Sequence, residues 1–135
     1  MPDKQVFQQD AQKGDHMQSK QLLTDLEFHD AAPYAQPLLV NQHSRILRWM
    51  LKPGQEIKQH SAPGSPFHVV ILQGRGMFAG RDGQEREYGP NFLLTFAPDE
   101  PHTVRALDEE LVFIGFLHGV DSMRPERTGG ELGRE

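Results

Sequence analysis

The sequence predicts an all-β protein with the architecture of a small barrel or sandwich. Eight or nine short apolar runs lie between residues 38 and 118, and turn-forming residues separate them. Such even spacing of short strands is typical of sandwiches and barrels. The chain has 135 residues, which is enough for one domain with its own core.

The strands are predicted from β-rich runs in which side chains alternate between two faces, as Ile46, Arg48 and Met50 do within one run. Pro53 and Gly54 indicate a type II turn, and Asp82 followed by Gly83 indicates a hairpin. The predicted strands cover residues 38–40, 44–51, 56–60, 68–73, 77–79, 84–88, 92–97, 104–106 and 111–118.

Residues 21–119 are predicted to form the single domain, preceded by a flexible segment at 1–20 and followed by a disordered tail at 120–135. Both ends are polar and bury little. Residues 19–29 fit two patterns, because Leu22, Leu23 and Leu26 have helical spacing while Leu22, Leu26 and Phe28 also fit alternation. We therefore expect a short irregular or helical N-terminal segment. Pro33 and Pro37 are read as loop residues that precede the first strand.

Composition excludes several classes of function. The net charge is −5 and the basic residues are scattered, so neither nucleic acid nor an anionic membrane is an expected partner. The chain contains no cysteine, so a transition metal would need histidine, carboxylate or water ligands. No membrane span or signal peptide is visible, and a cytoplasmic location is the expectation.

Four blocks, in order, carry a resemblance to a known family. They are Pro53-Gly54, His60-Ser-Ala-Pro63, the run that ends at Gly74, and Ala97-Pro-Asp-Glu-Pro-His102. Over residues 38–117 the chain resembles the cupin superfamily in its compact single-domain form. The resemblance implies a double-stranded β-helix, also called a jelly roll or cupin barrel, with a ligand pocket inside one end.

The resemblance also implies a set of metal ligands. The family's first metal histidine falls on His60 and its second-motif histidine on His102, whereas Ala62 stands where another histidine is usual. Phe67 takes the usual position of a glutamate. His68 is adjacent, and we expect it to turn inward as a third ligand. The implied cofactor is one divalent transition metal, which would be Zn, Fe, Ni, Mn or Cu.

Each candidate residue has a structural alternative. His60 and His102 would also suit a pocket that has lost its metal, and His68 would point outward if its strand kept a regular register. Glu56 is an alternative carboxylate ligand, since it would share a face with His60 in a regular strand. The aromatic and Met side chains are expected in the core or the pocket wall, namely Phe67, Met77, Phe92, Phe96, Phe113 and Phe116.

Two functions from different classes are consistent with these residues. The first is a metal-dependent enzyme of the oxygenase or isomerase type that acts on a small organic molecule. The second is a non-catalytic module that binds a small ligand or has a structural role, and the missing carboxylate favours it. A homodimer is also expected, because the apolar run at 111–118 would form a hazardous sheet edge if it were unpaired.

Overall fold

The computed structural model describes residues 16–119, which form nine strands and no helix. The predicted all-β jelly roll, a double-stranded β-helix, is confirmed. Without a helix, this part of the chain contains no helical membrane span. The strands are β1 (Tyr34–Val40), β2 (Ser44–Leu51), β3 (Glu56–His60), β4 (Phe67–Gln73), β5 (Gly76–Ala79), β6 (Arg86–Tyr88), β7 (Leu93–Phe96), β8 (His102–Ala106) and β9 (Leu111–His118).

The strands form two antiparallel sheets that face each other. One sheet has five strands in the order β1-β2-β9-β4-β7, and the other has four in the order β3-β8-β5-β6. Alternate residues of each strand point into the space between the sheets and form the core. The core residues are Leu51, Phe67, Val69, Ile71, Phe78, Phe96, Val104, Ala106, Leu111 and Phe113.

Turn chemistry joins these strands as the sequence predicts. Gly54 has a φ of 83°, and the amide of Gln55 donates to the carbonyl of Lys52 across 3.0 Å. Both observations fit a type II turn. In the β5–β6 hairpin the amide of Gly83 donates to the carbonyl of Gly80, and Gly83 has a φ of 73°.

The prediction of a loop around Pro37 is wrong. Strand β1 begins at Tyr34 and continues through Pro37, with a bulge between Pro37 and Leu39. Proline is tolerated there because β1 is an edge strand, whose outer side has no partner strand within residues 16–119 that would need the missing N–H.

The reason given for a homodimer is also wrong. Strand β9 is not an edge, because it lies between β2 and β4 in the centre of the five-stranded sheet. Both of its sides are hydrogen-bonded, through pairs such as Trp49 with Phe113 and Val69 with Gly115. Its long apolar sequence reflects burial in the middle of a sheet, so it leaves no exposed edge. Dimerisation remains a prediction without that argument.

The aromatic residues divide between the core and the surface. Phe67, Phe96 and Phe113 are buried as expected, whereas Phe92 and Phe116 are 48% and 36% exposed. Phe116 lies outward because its neighbours in β9, Gly115 and Leu117, take the inward positions. Phe92 precedes β7 and contacts Tyr88 across 5.2 Å between ring centroids.

The N-terminal part of the described chain covers the outer face of the five-stranded sheet at strand β2. Arg48 and Met50 point outward from β2 and yet are fully buried. The amide of Glu27 donates to the sulfur of Met50 across 3.2 Å. Arg48 binds three carbonyls of the same segment. A turn at residues 22–23 leads into this segment, which contains no helix. The predicted tail at 120–135 and most of the predicted flexible start lie outside the described residues.

Candidate functional site

Two of the three predicted metal ligands lie together at one end of the space between the sheets. His60 is the last residue of β3 and His102 is the first of β8, and the two are paired across the strands. Their Nε2 atoms are 3.2 Å apart. Strand pairing therefore joins two residues that are far apart in the chain.

A β-bulge brings His60 opposite His102. Ile57 pairs with Val104, so regular alternation would place Gln59 opposite His102, but an extra residue in β3 shifts His60 into that position. Bulges of this kind re-aim side chains near functional sites. Glu56 pairs with Arg105 and is exposed. The prediction that Glu56 shares a face with His60 is therefore wrong, because it assumed a regular strand.

Backbone carbonyls determine which ring nitrogens carry hydrogen. The Nδ1 atom of His60 lies 3.1 Å from the carbonyl oxygen of Lys58, and that of His102 lies 3.0 Å from the carbonyl oxygen of Glu100. A carbonyl oxygen only accepts, so each Nδ1 atom is the donor. In two neutral imidazoles, both Nε2 atoms then present lone pairs to each other.

Two lone pairs facing each other across 3.2 Å need a positive group between them. A proton satisfies the pair, and so does a metal ion. Zinc–nitrogen bonds of about 2.0–2.1 Å at a tetrahedral angle place two ligand nitrogens about 3.3 Å apart. The donor set and the spacing of the two imidazoles thus fit one divalent transition metal.

Aromatic rings surround His102. Its imidazole stacks on Phe67 and on Phe96, with ring centroids 4.8 Å apart in both cases. The residue is only 2% exposed, and this burial lowers the pKa of His102 to about 4. His102 is therefore a neutral imidazole across the physiological pH range, which is the form that binds a metal.

Two loops hold the histidines in place. The carbonyl of Ala62 accepts from the amides of Ser65 and Asp99, across 3.1 and 3.2 Å. The Asp99 carboxylate accepts from the amide of Gly64 across 3.0 Å. The loop after His60 is thereby tied to the loop before His102.

The Glu100 side chain further orders the turn that precedes His102. It accepts from the amides of Ala97 and Arg81, across 2.7 and 2.8 Å, and these hydrogen bonds lower the pKa of its carboxyl. Asp99 and Glu100 are thus structural residues of the turn, as turn chemistry suggested.

A small cavity opens beside the two histidines. Its volume is about 180 Å³, and most of its wall is apolar. Among the described residues, no Asp or Glu contributes to the wall. The lining residues are Arg45, Leu47, Trp49, His60, Ser61, Ala62, Pro63, Phe67, His102 and Leu117.

Trp49 is a wall residue that the sequence analysis did not single out. It is the one tryptophan of the chain, and its indole nitrogen is buried with no hydrogen-bond partner among the described residues. The alternation along β2 places Trp49 on the same face as Leu47 and Leu51, and this was a usable signal. The pattern alone does not tell which of the two faces of the strand points into the core.

The third predicted ligand lies elsewhere. His68 is on the outer face of the five-stranded sheet, and its Nδ1 atom is 3.1 Å from the Thr95 hydroxyl. Strand β4 keeps regular alternation here, so the buried neighbour Phe67 takes the inward position. Within residues 16–119, no three His, Asp or Glu side chains are close enough to bind one ion.

A second, larger groove lies on the opposite side of Phe96, between the edges formed by β6 and β7. Its volume is about 620 Å³ and it is wide open to solvent. The two carboxylates that line this groove already have partners within the protein. Glu100 accepts from the turn amides, and Asp82 accepts from Arg86 and from the amide of Gln84. Neither histidine of the pair contributes to this groove.

Comparison with known proteins agrees with this architecture. The family model for the cupin domain matches residues 47–116, which is more than half of the chain. This chain belongs to the cupin family. No curated protein matches it.

Several solved structures have the same fold. An RmlC-like cupin from Desulfovibrio desulfuricans has 25% identity and a TM-score of 0.70, with 78% of this chain and 100% of that chain covered. A Thermus thermophilus protein has 19% identity and a TM-score of 0.71, with 76% and 98% covered.

An uncharacterised Klebsiella pneumoniae protein with a double-stranded β-helix domain has 19% identity and a TM-score of 0.64, with 67% and 79% covered. The last two similarities, at 19% identity, concern the fold alone.

Proposed function

We propose that this cupin binds a small molecule in the 180 Å³ cavity beside one divalent transition metal held by His60 and His102. The observation that carries the proposal is the convergence of the two Nε2 atoms at 3.2 Å. Both Nδ1 atoms are hydrogen-bonded to carbonyls, so the Nε2 atom of each neutral ring carries the lone pair that can bind a metal.

The other residues of the site have supporting roles in this proposal. Phe67 and Phe96 hold the His102 ring and exclude water from it. The carbonyls of Lys58 and Glu100 orient the imidazoles, as partners of metal-bound histidines commonly do. The metal, when bound, would act as a Lewis acid towards a ligand oxygen.

Binding is better supported than catalysis. The cavity wall in the described chain has no Asp or Glu, so a reaction that needs a carboxylate base finds none there. An oxygenase or isomerase reaction would have to rely on the metal and on groups of the substrate.

A metal-free ligand-binding module is the second candidate. It is favoured by the observation that, among residues 16–119, no third His, Asp or Glu joins the pair. In such a module a proton would lie between the two Nε2 atoms, and the histidines would bind the ligand through hydrogen bonds.

The test uses the single tryptophan in the cavity wall as a reporter. Ni²⁺ is titrated into untagged protein while Trp49 fluorescence and bound nickel, by elemental analysis, are measured. We expect quenching with about one equivalent of nickel bound. His60→Ala and His102→Ala should abolish both signals, because each variant removes one of two ligands.

His68→Ala is the matched control, since His68 lies on the outer face and should be dispensable. Equal nickel binding by the wild type, His60→Ala and His102→Ala would contradict the proposed site. Absence of nickel binding in the wild type, with a small ligand retained after purification, would favour the metal-free module.

A further inference from the structure

Strand β7 has a free edge that opens on the larger groove between β6 and β7. It is the last strand of the five-stranded sheet, and within residues 16–119 only β4 pairs with it. The carbonyl of Phe92, just before β7, accepts from the amide of Ile71 and so points towards β4. Backbone groups alternate in direction along an antiparallel strand, so those of Leu93 and Thr95 point away from β4, towards the groove that both residues line.

The other three edge strands of the described chain carry features that discourage the addition of a strand. Strand β1 contains Pro37 and a bulge, β3 also contains a bulge, and β6 has the exposed charges of Arg86 and Glu87. Such features commonly protect the edges of sheets. Strand β7 has the sequence Leu-Leu-Thr-Phe and lacks a charge, a proline and a bulge. Its free backbone groups are therefore open to pairing with another extended chain.

Aromatic rings and two arginines line the groove in front of this edge. The rings are those of Phe78, Tyr88 and Phe96. Arg86 is the cross-strand partner of Phe78, which points into the core. Cross-strand partners share a face of the sheet, so the Arg86 side chain is on the side that faces the groove. Arg81 also lines the groove, from the β5–β6 turn.

The cationic groups of the groove are available to a ligand, whereas its carboxylates already have partners. Within the described chain, the Arg81 guanidinium forms no hydrogen bond or ion pair, since its residue contributes only its backbone amide to Glu100. Arg86 contacts Asp82 across 3.4 Å, in a pair whose two side chains are 56% exposed. Glu100 accepts from two backbone amides and Asp82 from one. A carboxylate of a ligand would therefore find guanidinium donors here.

We propose that this groove binds an extended acidic peptide, which adds a strand to the free edge of β7 and pairs its carboxylates with Arg81 and Arg86. The site is separate from the histidine pair and does not depend on the proposed function. Strand addition supplies main-chain hydrogen bonds, and alternate side chains of the peptide contact the aromatic rings and the arginines. A small molecule would bury little of its surface in a groove so open to solvent, which favours an extended chain.

The overall charge of the protein opposes an acidic partner only at long range. The formal net charge is −5. Salt at physiological ionic strength screens exposed charges that are more than about 8 Å apart. Within that distance, the donors that a docked peptide meets are the two arginines and the free amides of β7.

The test uses the peptide Thr-Glu-Thr-Val-Thr-Glu-Thr, labelled with fluorescein and titrated with the full-length protein. In an extended strand its two Glu and its Val share one face. Fluorescence anisotropy should report saturable binding. A peptide with Lys in place of both Glu should bind about ten-fold more weakly, because its ammonium groups would face guanidinium groups.

Two N-methylated forms of the acidic peptide test the main-chain hydrogen bonds. One form carries methyl groups on the Thr amides, and the other carries them on the Glu and Val amides. Amides of alternate residues point to opposite edges of an extended strand, so each form blocks one edge. At least one of the two should lose binding, because one edge of the peptide must pair with β7.

Variants of the protein locate the bound peptide. Arg81→Gln and Arg86→Gln should each weaken binding of the acidic peptide by about five-fold, as expected for exposed ion pairs. Arg105→Gln is the matched control and should bind like the wild type, since Arg105 pairs with Glu85 and lies outside the groove. Thr95→Pro removes an amide from the free edge of β7 while the hydrogen bonds to β4 remain, and it should abolish binding.

The outcomes separate strand addition from other modes of binding. Absence of saturable binding by the acidic peptide, or equal binding of the acidic and basic peptides, would overturn the proposal. So would undiminished binding of both N-methylated forms, a result that decides even if Thr95→Pro does not fold. Equal binding by the wild type and both arginine variants would place the peptide elsewhere. If the acidic peptide does not bind and Thr95→Pro converts a dimer into a monomer, a second copy occupies the edge instead.

Discussion

At the scale of single residues, the hydrogen bonds of the two imidazoles decide which ring nitrogens carry hydrogen at this site. His60 and His102 each donate from Nδ1 to a backbone carbonyl, which leaves Nε2 as the reactive atom. The two rings differ in environment, since His60 is exposed and His102 is buried between aromatic rings. Burial lowers the pKa of His102 to about 4, so the ring is neutral at physiological pH in the metal-free protein, and this has a measurable effect on stability.

We predict that the free energy of unfolding decreases as the pH falls from about 6.5 to about 4. His102 has a folded pKa of about 4 and an ordinary value of 6.5, so the unfolded chain takes up a proton in this window and the folded protein does not. Near pH 4 the loss in the free energy of unfolding is about 3 kcal/mol. Urea unfolding of the metal-free protein at pH 7 and pH 4.5 measures this loss.

His102→Phe is the control for this pH effect. The variant keeps an aromatic ring at the buried position but has no group that titrates there. Its stability should depend less on pH between 6.5 and 4.5 than that of the wild type. Equal pH dependence of the two proteins would show that His102 is not the cause.

At the scale of elements, one buried arginine attaches the N-terminal segment to the sheet. The Arg48 guanidinium donates to the carbonyls of Leu22, Thr24 and Asp25 across 2.9–3.2 Å, and twice to the side-chain oxygen of Gln36. Burial lowers the pKa of Arg48, but its guanidinium stays protonated. Its five donors are therefore satisfied mainly by neutral oxygens.

We predict that Arg48→Met destabilises the protein by about 3 kcal/mol and loosens the segment around residues 22–25. Methionine retains the apolar part of the side chain but leaves the three carbonyls without their donor. In Arg48→Met, amide hydrogen exchange should become faster for these residues than in wild type, while exchange in β9 changes less.

Arg86→Met is the control, because Arg86 forms an exposed pair with Asp82. It should change the free energy of unfolding by less than about 1 kcal/mol. Equal exchange in wild type and Arg48→Met would contradict the prediction.

At the scale of the whole molecule, strands β7 and β9 leave apolar side chains on the outer face of the five-stranded sheet. Leu93 is 65% exposed and Phe116 is 36% exposed. They belong to β7 and β9, on either side of β4, where His68 and Val70 lie between them. This face replaces the sheet edge as the surface on which a second copy is expected to pack.

We predict that the protein sediments at micromolar concentration with twice the 15.3 kDa mass of one chain. Leu93→Lys together with Phe116→Lys should give a monomer, because two charges would have to be buried in the interface. Leu23→Lys, at a 44% exposed position of the N-terminal segment, is the control and should remain a dimer. A wild-type protein found only as a monomer would remove the prediction.

The sequence by itself determined the fold class, most strands and two of the residues at the site. Short alternating runs and turn residues such as Gly54 and Gly83 act locally, so they can be read without tertiary information. The resemblance of the motif blocks to the cupin family implied that His60 and His102 belong to one site.

Only the tertiary structure decided which side chains face the cavity and which elements are edges. A bulge in β3 turned His60 inward and Glu56 outward, while regular pairing in β4 turned Phe67 inward and His68 outward. A change of one residue in register reverses the face of every side chain in a strand, and nothing in the local sequence reports it. The order of strands placed β9 in the centre of its sheet, since pairing between distant segments depends on the whole chain.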